Sequence, residues 1–170
     1  MSHFSHLHCH TQFSLLDGAA SVKGLFKKAT ADGHRAIALT DHGNMYGAFQ
    51  FVAEAWKNTK STGRKDEFGN DIVEPVVKRI VGCEFYLVED RHQRQFTKGI
   101  RDKRYHQLLL AKNRKGYENL VKLCSLGYIE GLYGKYPRID KELILQYHEG
   151  LIATTCCLGA EVPRAILDKS

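Results

Sequence analysis

No stretch of this 170-residue chain is apolar over the length of a membrane span, which excludes a membrane-crossing helix and argues against a membrane partner. The amino terminus also lacks the basic-then-apolar layout of a secretory signal. There is no even set of cysteines: the five present include the adjacent pair Cys156 and Cys157, a poor basis for a disulfide framework. Without a secretion signal, a reducing cytoplasm is the expected location. No internal repeat or low-complexity tract interrupts the chain, whose length suits one domain with a buried core.

Charge is present but uneven. The net charge is +6, and the stretch RHQRQFTKGIRDKR from Arg91 to Arg104 carries basic side chains against a single acid, Asp102. Arg91, Arg94, Lys98 and Arg101 are therefore candidates for contact with nucleic-acid phosphates through charge alone. A solvated loop over about 89–104 explains one such run at least as well. Phe96 is its one aromatic residue, so base stacking has little support.

Histidine is concentrated instead. His6, His8 and His10 fall within five residues of the segment SHLHCHTQFSLLDG, and in an extended strand alternate side chains share a face. Three imidazoles on one face suit zinc, iron or manganese. A His-rich start or a purification tag is the competing reading, although a tag is consecutive and lacks apolar neighbours such as Leu7 and Cys9.

Strand and helix signals then alternate. HFSHLHC reads as a first strand. Ser21 caps a helix with Val22, Leu25, Phe26 and Ala29 at helical spacing, and Gly33 suits its end. RAIALT (35–40) is a buried strand, and Asn44 is expected to cap a helix with Met45, Ala48, Phe49, Val52 and Trp56 on one stripe. Residues 59–75 read as a polar loop or excursion. RIVGCEFYLV (79–88) and YHQLLLA (105–111) are strands, and a helix from about Asn113 carries Tyr117, Leu120, Val121 and Cys124. YPRIDKELILQYH suggests a short helix, GLIATT (150–155) a fifth strand, and GAEVPRAIL a helix start or turn. Five strands separated by helices imply an α/β chain with a mainly parallel sheet, open or closed into a barrel.

On this map the residue types that hold metals recur at strand ends: Asp17 after the first strand, His42 past the second, Glu84 in the third, His106 in the fourth, Cys157 after the fifth. Each alone has an ordinary role, as a core histidine, an ion-paired glutamate or a small hydrophobe. Together they exceed what one tetrahedral zinc needs and suggest two or three ions.

The blocks HLHCHTQFSLLDGA, ALTDHGNMYGA, IVGCEFYLV, YHQLLLAKNRKGYENLVKL and EGLIATTCCLGAE resemble the PHP domains (polymerase and histidinol phosphatase) found at the amino termini of bacterial replicative polymerase subunits. The resemblance implies a distorted seven-stranded β/α barrel, with residues 1–170 as the amino-terminal part of a single such domain. It implies a cluster of two or three divalent ions (zinc, manganese or iron) held by His8, His10, Asp17, His42, Glu84, His106 and Cys157. His6, where the family commonly has an aspartate, is expected to orient its neighbours. A final aspartate and histidine of the family pattern have no counterpart, so an incomplete barrel, inactive by itself, is expected.

Two classes of function follow from the resemblance. One is a metal-dependent phosphoesterase within a DNA-directed DNA polymerase, removing 3′-terminal nucleotides or hydrolysing pyrophosphate; a histidinol-phosphate phosphatase shares the same fold and site. The other is a non-catalytic module that stabilises the polymerase and docks a replication protein. The implied partners are DNA, deoxynucleoside triphosphates, magnesium for polymerisation, a sliding clamp and a separate exonuclease.

Overall fold

The computed structural model describes residues 4–98 and 101–168. Gly99 and Ile100 of the expected basic loop, and residues 1–3 and 169–170 of the expected domain, lie outside the described residues. The chain divides into two compact units, one of Met1–Leu39 with Tyr46–Ile80 and one of Thr40–Met45 with Val81–Ser170. Both mix helices and strands.

In the first unit, helix α1 (Val22–Ala31) begins where the Ser21 hydroxyl accepts the N–H of Gly24 at 3.1 Å. It ends before Gly33, whose φ of +71° lies in the left-handed region. Val22, Phe26 and Ala29 form its buried face, and the Phe26 ring lies 4.8 Å from that of Phe51 on α2 (Ala48–Ala55). Strand β1 (Ala36–Leu39) supplies the buried Ile37, Ala38 and Leu39.

Three expectations are corrected here. The first strand is reduced to one parallel bridge between His6 and Ile37, with the Ala38 N–H donating to the His6 carbonyl at 2.9 Å. Helix α2 is capped by Gly47, and its buried stripe is Ala48, Phe51 and Ala55, with Phe49 exposed. Asn44 does not start it, because its amide donates to the His42 carbonyl at 3.0 Å and builds a turn instead. Residues 59–75 are not a loop but an antiparallel hairpin of β2 (Thr59–Lys65) and β3 (Asp71–Pro75). Its turn is fixed by Asp66, whose carboxylate accepts the N–H groups of Phe68 and Asn70 at 2.9 and 2.8 Å. The strands are solvated on most positions, so their polarity hid them.

The second unit is organised by β4 (Lys78–Val88), which begins in the first unit and continues here. It runs antiparallel to β5 (Tyr105–Ala111) and parallel to β6 (Arg138–Asp140), and β5 runs antiparallel to β7 (Leu151–Ala153). The mainly parallel expectation fails at β4–β5. That connection contains a loop and no crossover helix among its described residues, so the chain returns in the opposite sense. Between β5 and β6 the chain passes through α3 (Arg114–Ile129), long enough to bring β6 back parallel to β4.

Alternation along β4 sorts its two faces. Cys83 and Phe85 join Leu109, Leu120, Leu123, Ile139 and Leu143 in one buried cluster under α3 and α4 (Lys141–Gln146). The buried face of α3 is Gly116, Asn119, Leu120, Leu123 and Gly127, whereas Tyr117 and Val121 of the expected stripe are exposed. The helix starts where expected, and Asn113 caps it, accepting the Gly116 N–H at 3.0 Å. Helix α5 (Glu161–Leu167) closes the described chain.

Candidate metal centre

The opposite face of β4 carries Glu84 and Tyr86, and the register places Tyr86 across from His106 on β5. Glu84 is thus one diagonal step from His106, within reach of a long side chain. The segment before β4 supplies the next donor. The Asp41 carbonyl accepts the Glu84 N–H at 3.1 Å, and the Gly43 N–H donates to the Glu84 carbonyl at 2.7 Å, so His42 is bridged in parallel to Glu84. Gly43 is required there: its φ is +60°, and a β-carbon would lie 2.6 Å from Pro137.

The fourth element is the turn after β7. The Thr154 N–H donates to the Leu108 carbonyl at 3.3 Å, the His106 N–H to Gly159 at 3.1 Å, and the Ala160 N–H to Cys157 at 2.9 Å. These bonds hold the cysteine pair against β5.

The result is a compact donor set. His42 Nδ1 lies 2.6 Å and His106 Nδ1 3.1 Å from Glu84 Oε1, and Cys157 Sγ lies 3.4 Å from His106 Nδ1. The donor atoms of Glu84, His106 and Cys157 all fall within 4.8 Å of one another. Glu84 is 1% exposed, a carboxylate in a low-dielectric position surrounded by imidazoles. Imidazole, carboxylate and thiol on one spot fit a divalent metal. Tyr86 packs among these ligands, its ring 6.2 Å from His42 and 5.7 Å from His106, with Tyr136 at 5.0 Å and the Arg104 guanidinium over Tyr136 at 3.7 Å.

Cys156 was not among the sequence candidates, although the doubled cysteine was a signal for it. Its Sγ lies 3.9 Å from Glu84 Oε2. Burial, with the Glu84 charge beside it, pushes its thiol up to about 12.

The remaining expected ligands belong to the first unit. There the His8 and His10 rings are 4.9 Å apart, and His10 Nδ1 lies 3.4 Å from the Ser14 hydroxyl. Asp17 is exposed in a turn, where its N–H donates to the Ser14 carbonyl at 3.1 Å. His6 does not join its neighbours on one face: its ring packs on Phe4 at 4.8 Å and His34 at 5.1 Å. Without a continuous strand, the period-two alternation does not operate.

The basic loop is built around Arg138, which is fully buried. Its guanidinium donates to the carbonyls of Gly131, Arg91 and Gln93 at 2.9, 3.1 and 2.8 Å, and to Asp102 at 2.9 Å. Arg91 pairs with Asp140 at 2.8 Å and Glu130 at 2.7 Å, and Arg94 donates to the carbonyls of Leu132 and Glu130. Lys98 and Arg101 are exposed.

A family model described as the PHP domain matches residues 6–170. The chain belongs to the PHP domain family. Among curated relatives, this PHP chain is 46% identical over 167 residues to the DNA polymerase III subunit alpha of Thermus aquaticus. It is 42% identical to that of Borreliella burgdorferi and 44% to that of Aquifex aeolicus. The matches cover 96%, 98% and 91% of the PHP chain but 12%, 13% and 12% of the relatives, so it spans about one eighth of their length. Among the described residues, no helix is long and apolar enough to cross a membrane.

Proposed function

We propose that this chain is the amino-terminal PHP portion of a bacterial replicative DNA polymerase subunit, working in the cytoplasm. In this reading its metal centre hydrolyses phosphodiesters at 3′ ends. The observation that carries the proposal is the convergence of His42, Glu84, His106 and Cys157 in one unit. The likeness to polymerase subunits at 42–46% identity points to DNA as the substrate.

Glu84 would hold metal through its carboxylate, His42 and His106 through their imidazoles, and Cys157 through its thiolate. His8, His10 and Asp17 are proposed to complete the set, and His6 to act as a neighbour. Their support is the family likeness of the HLHCHTQFSLLDGA block. Residues 1–170 are then part of one distorted seven-stranded barrel.

Two or three divalent ions, zinc, manganese or iron, would supply an activated water and neutralise charge on the reacting phosphoryl group. The protein's own contribution is positional. The buried Glu84 keeps two imidazoles oriented, the turn after β7 fixes the thiol, and the Tyr86 ring packs beside both His42 and His106. Lys98 and Arg101 are the exposed charges best able to meet a DNA phosphate, since Arg91 and Arg94 are engaged within the protein. Deoxynucleoside triphosphates, magnesium, a clamp and a separate exonuclease would be partners of the whole polymerase.

The test uses the whole polypeptide that carries this chain. His42→Ala should abolish 3′ cleavage by the purified protein and leave primer extension within about twofold, because extension would use a separate set of carboxylates and ions. Equal cleavage by mutant and wild type, with contaminating nucleases excluded, overturns the catalytic reading.

A further inference from the structure

Glu84 has two oxygens, and two of the donors matched from the family pattern meet one of them. Oε1 meets His42 and His106 at 2.6 and 3.1 Å, whereas Oε2 faces the Cys156 sulfur at 3.9 Å. Cys156 is also the one described non-glycine residue with a positive φ, +56°, a region that a β-carbon disfavours. Neighbours hold it there: its N–H donates to the Thr154 hydroxyl at 3.0 Å, and the next residue's carbonyl accepts the Ala160 N–H at 2.9 Å. Strained backbone of this kind persists where the surroundings over-determine it, and it concentrates at functional sites. A cysteine serving only as a small apolar filler needs neither the strain nor a sulfur facing a buried carboxylate.

We propose that Cys156 is a second sulfur ligand of the metal centre, on the Oε2 side of Glu84. The adjacent thiols then bias the centre toward thiophilic divalent cations, zinc and cadmium, over manganese and magnesium. The inference rests on reading this cluster as a metal centre and extends it to selectivity. Thiolate is the softest donor a side chain offers, and a second one raises preference for soft ions over hard ones. Each sulfur–metal bond replaces a sulfur–hydrogen bond, and the proton passes to solvent.

The test is titration of the purified whole polypeptide that carries this chain with Cd2+, read by the ultraviolet charge-transfer absorption that each cadmium–thiolate bond adds. Cys156→Ser and Cys157→Ser should each lower that absorption by about half, and the double variant should remove it. Cys156→Gly, which suits the left-handed backbone, should match Cys156→Ser and guards against a folding defect in the serine variant. Competition with Mn2+ should show the Cd2+ preference falling about tenfold or more in Cys156→Ser. Full absorption in both Cys156 variants, with loss in Cys157→Ser, overturns the inference and leaves the metal centre standing. Absence of thiolate absorption from the wild type overturns both.

Discussion

His42 Nδ1 lies 2.6 Å from Glu84 Oε1 although 42 positions separate the two residues in the chain. Backbone bonds on both sides of His42 produce this contact: Asp41 accepts from Glu84, and Gly43 donates back to it. The ligand pair is therefore set by strand pairing, and the side chains inherit their positions from it.

Removing either partner should release metal. Glu84→Ala and His42→Ala are each expected to weaken divalent metal binding by about 10- to 100-fold or more, measured by metal content after dialysis against a graded chelator. Wild-type retention in Glu84→Ala would show that the cluster is not a metal centre.

Arg138 sets a second expectation, for stability. Arg138→Met nearly keeps the volume but takes the guanidinium from the carbonyls of Arg91, Gln93 and Gly131 and leaves Asp102 with one cation, Arg104 at 2.6 Å, in place of two. Breaking a buried charge network of this kind costs about 3–5 kcal/mol. Urea unfolding should register that loss, and a change below about 1 kcal/mol would mean that water replaces the guanidinium without penalty.

Asp140 predicts an acid dependence. Burial acts to raise its carboxyl, but the Leu143 N–H and the Arg91 guanidinium and N–H outweigh it and hold the group below the ordinary carboxylate range. As pH falls, the unfolded chain takes up this proton first. The stabilisation is therefore complete above the ordinary carboxylate range and disappears as pH drops through the depressed folded value. The stability gap between wild type and Asp140→Asn should narrow over that acid interval, and a gap independent of pH would contradict the assignment.

The exposed part of the basic loop is tested by salt. Reversing Lys98 and Arg101 to glutamate in the whole polypeptide should weaken single-stranded DNA binding. The slope of log K against log salt should fall by roughly one for each phosphate that the variant no longer neutralises. An unchanged slope would assign both side chains to solvent. Arg91→Glu, by contrast, should act first on stability, because its guanidinium bridges Asp140 and Glu130.

Legibility from sequence followed the range of the interactions involved. The cap Ser21 was readable because its hydroxyl bonds an N–H three residues on, and the helix start near Asn113 was readable for the same local reason. Strand β5 was readable to its ends, being a short apolar run between polar segments. The hairpin at 59–75 was not, since its polar strands present no buried face to generate a hydrophobic alternation. The strip from His6 to His10 misled for the opposite reason: its alternation has the period of a strand, but it forms a single bridge, from His6 to Ile37, and not a continuous strand.

The sequence by itself determined the chemical inventory and much of the local order: imidazoles, a carboxylate and thiols at segment ends, and helices bounded by their caps. These depend on side-chain identity and on interactions a few residues away. Tertiary structure alone decided that β5 returns antiparallel beside β4, that Arg138 is buried under the basic loop, and that Cys156 as well as Cys157 faces the cluster. Each of those outcomes is fixed by partners tens of residues distant. A backbone or charged group finds such partners only when the chain is folded, and no local propensity encodes which ones they will be.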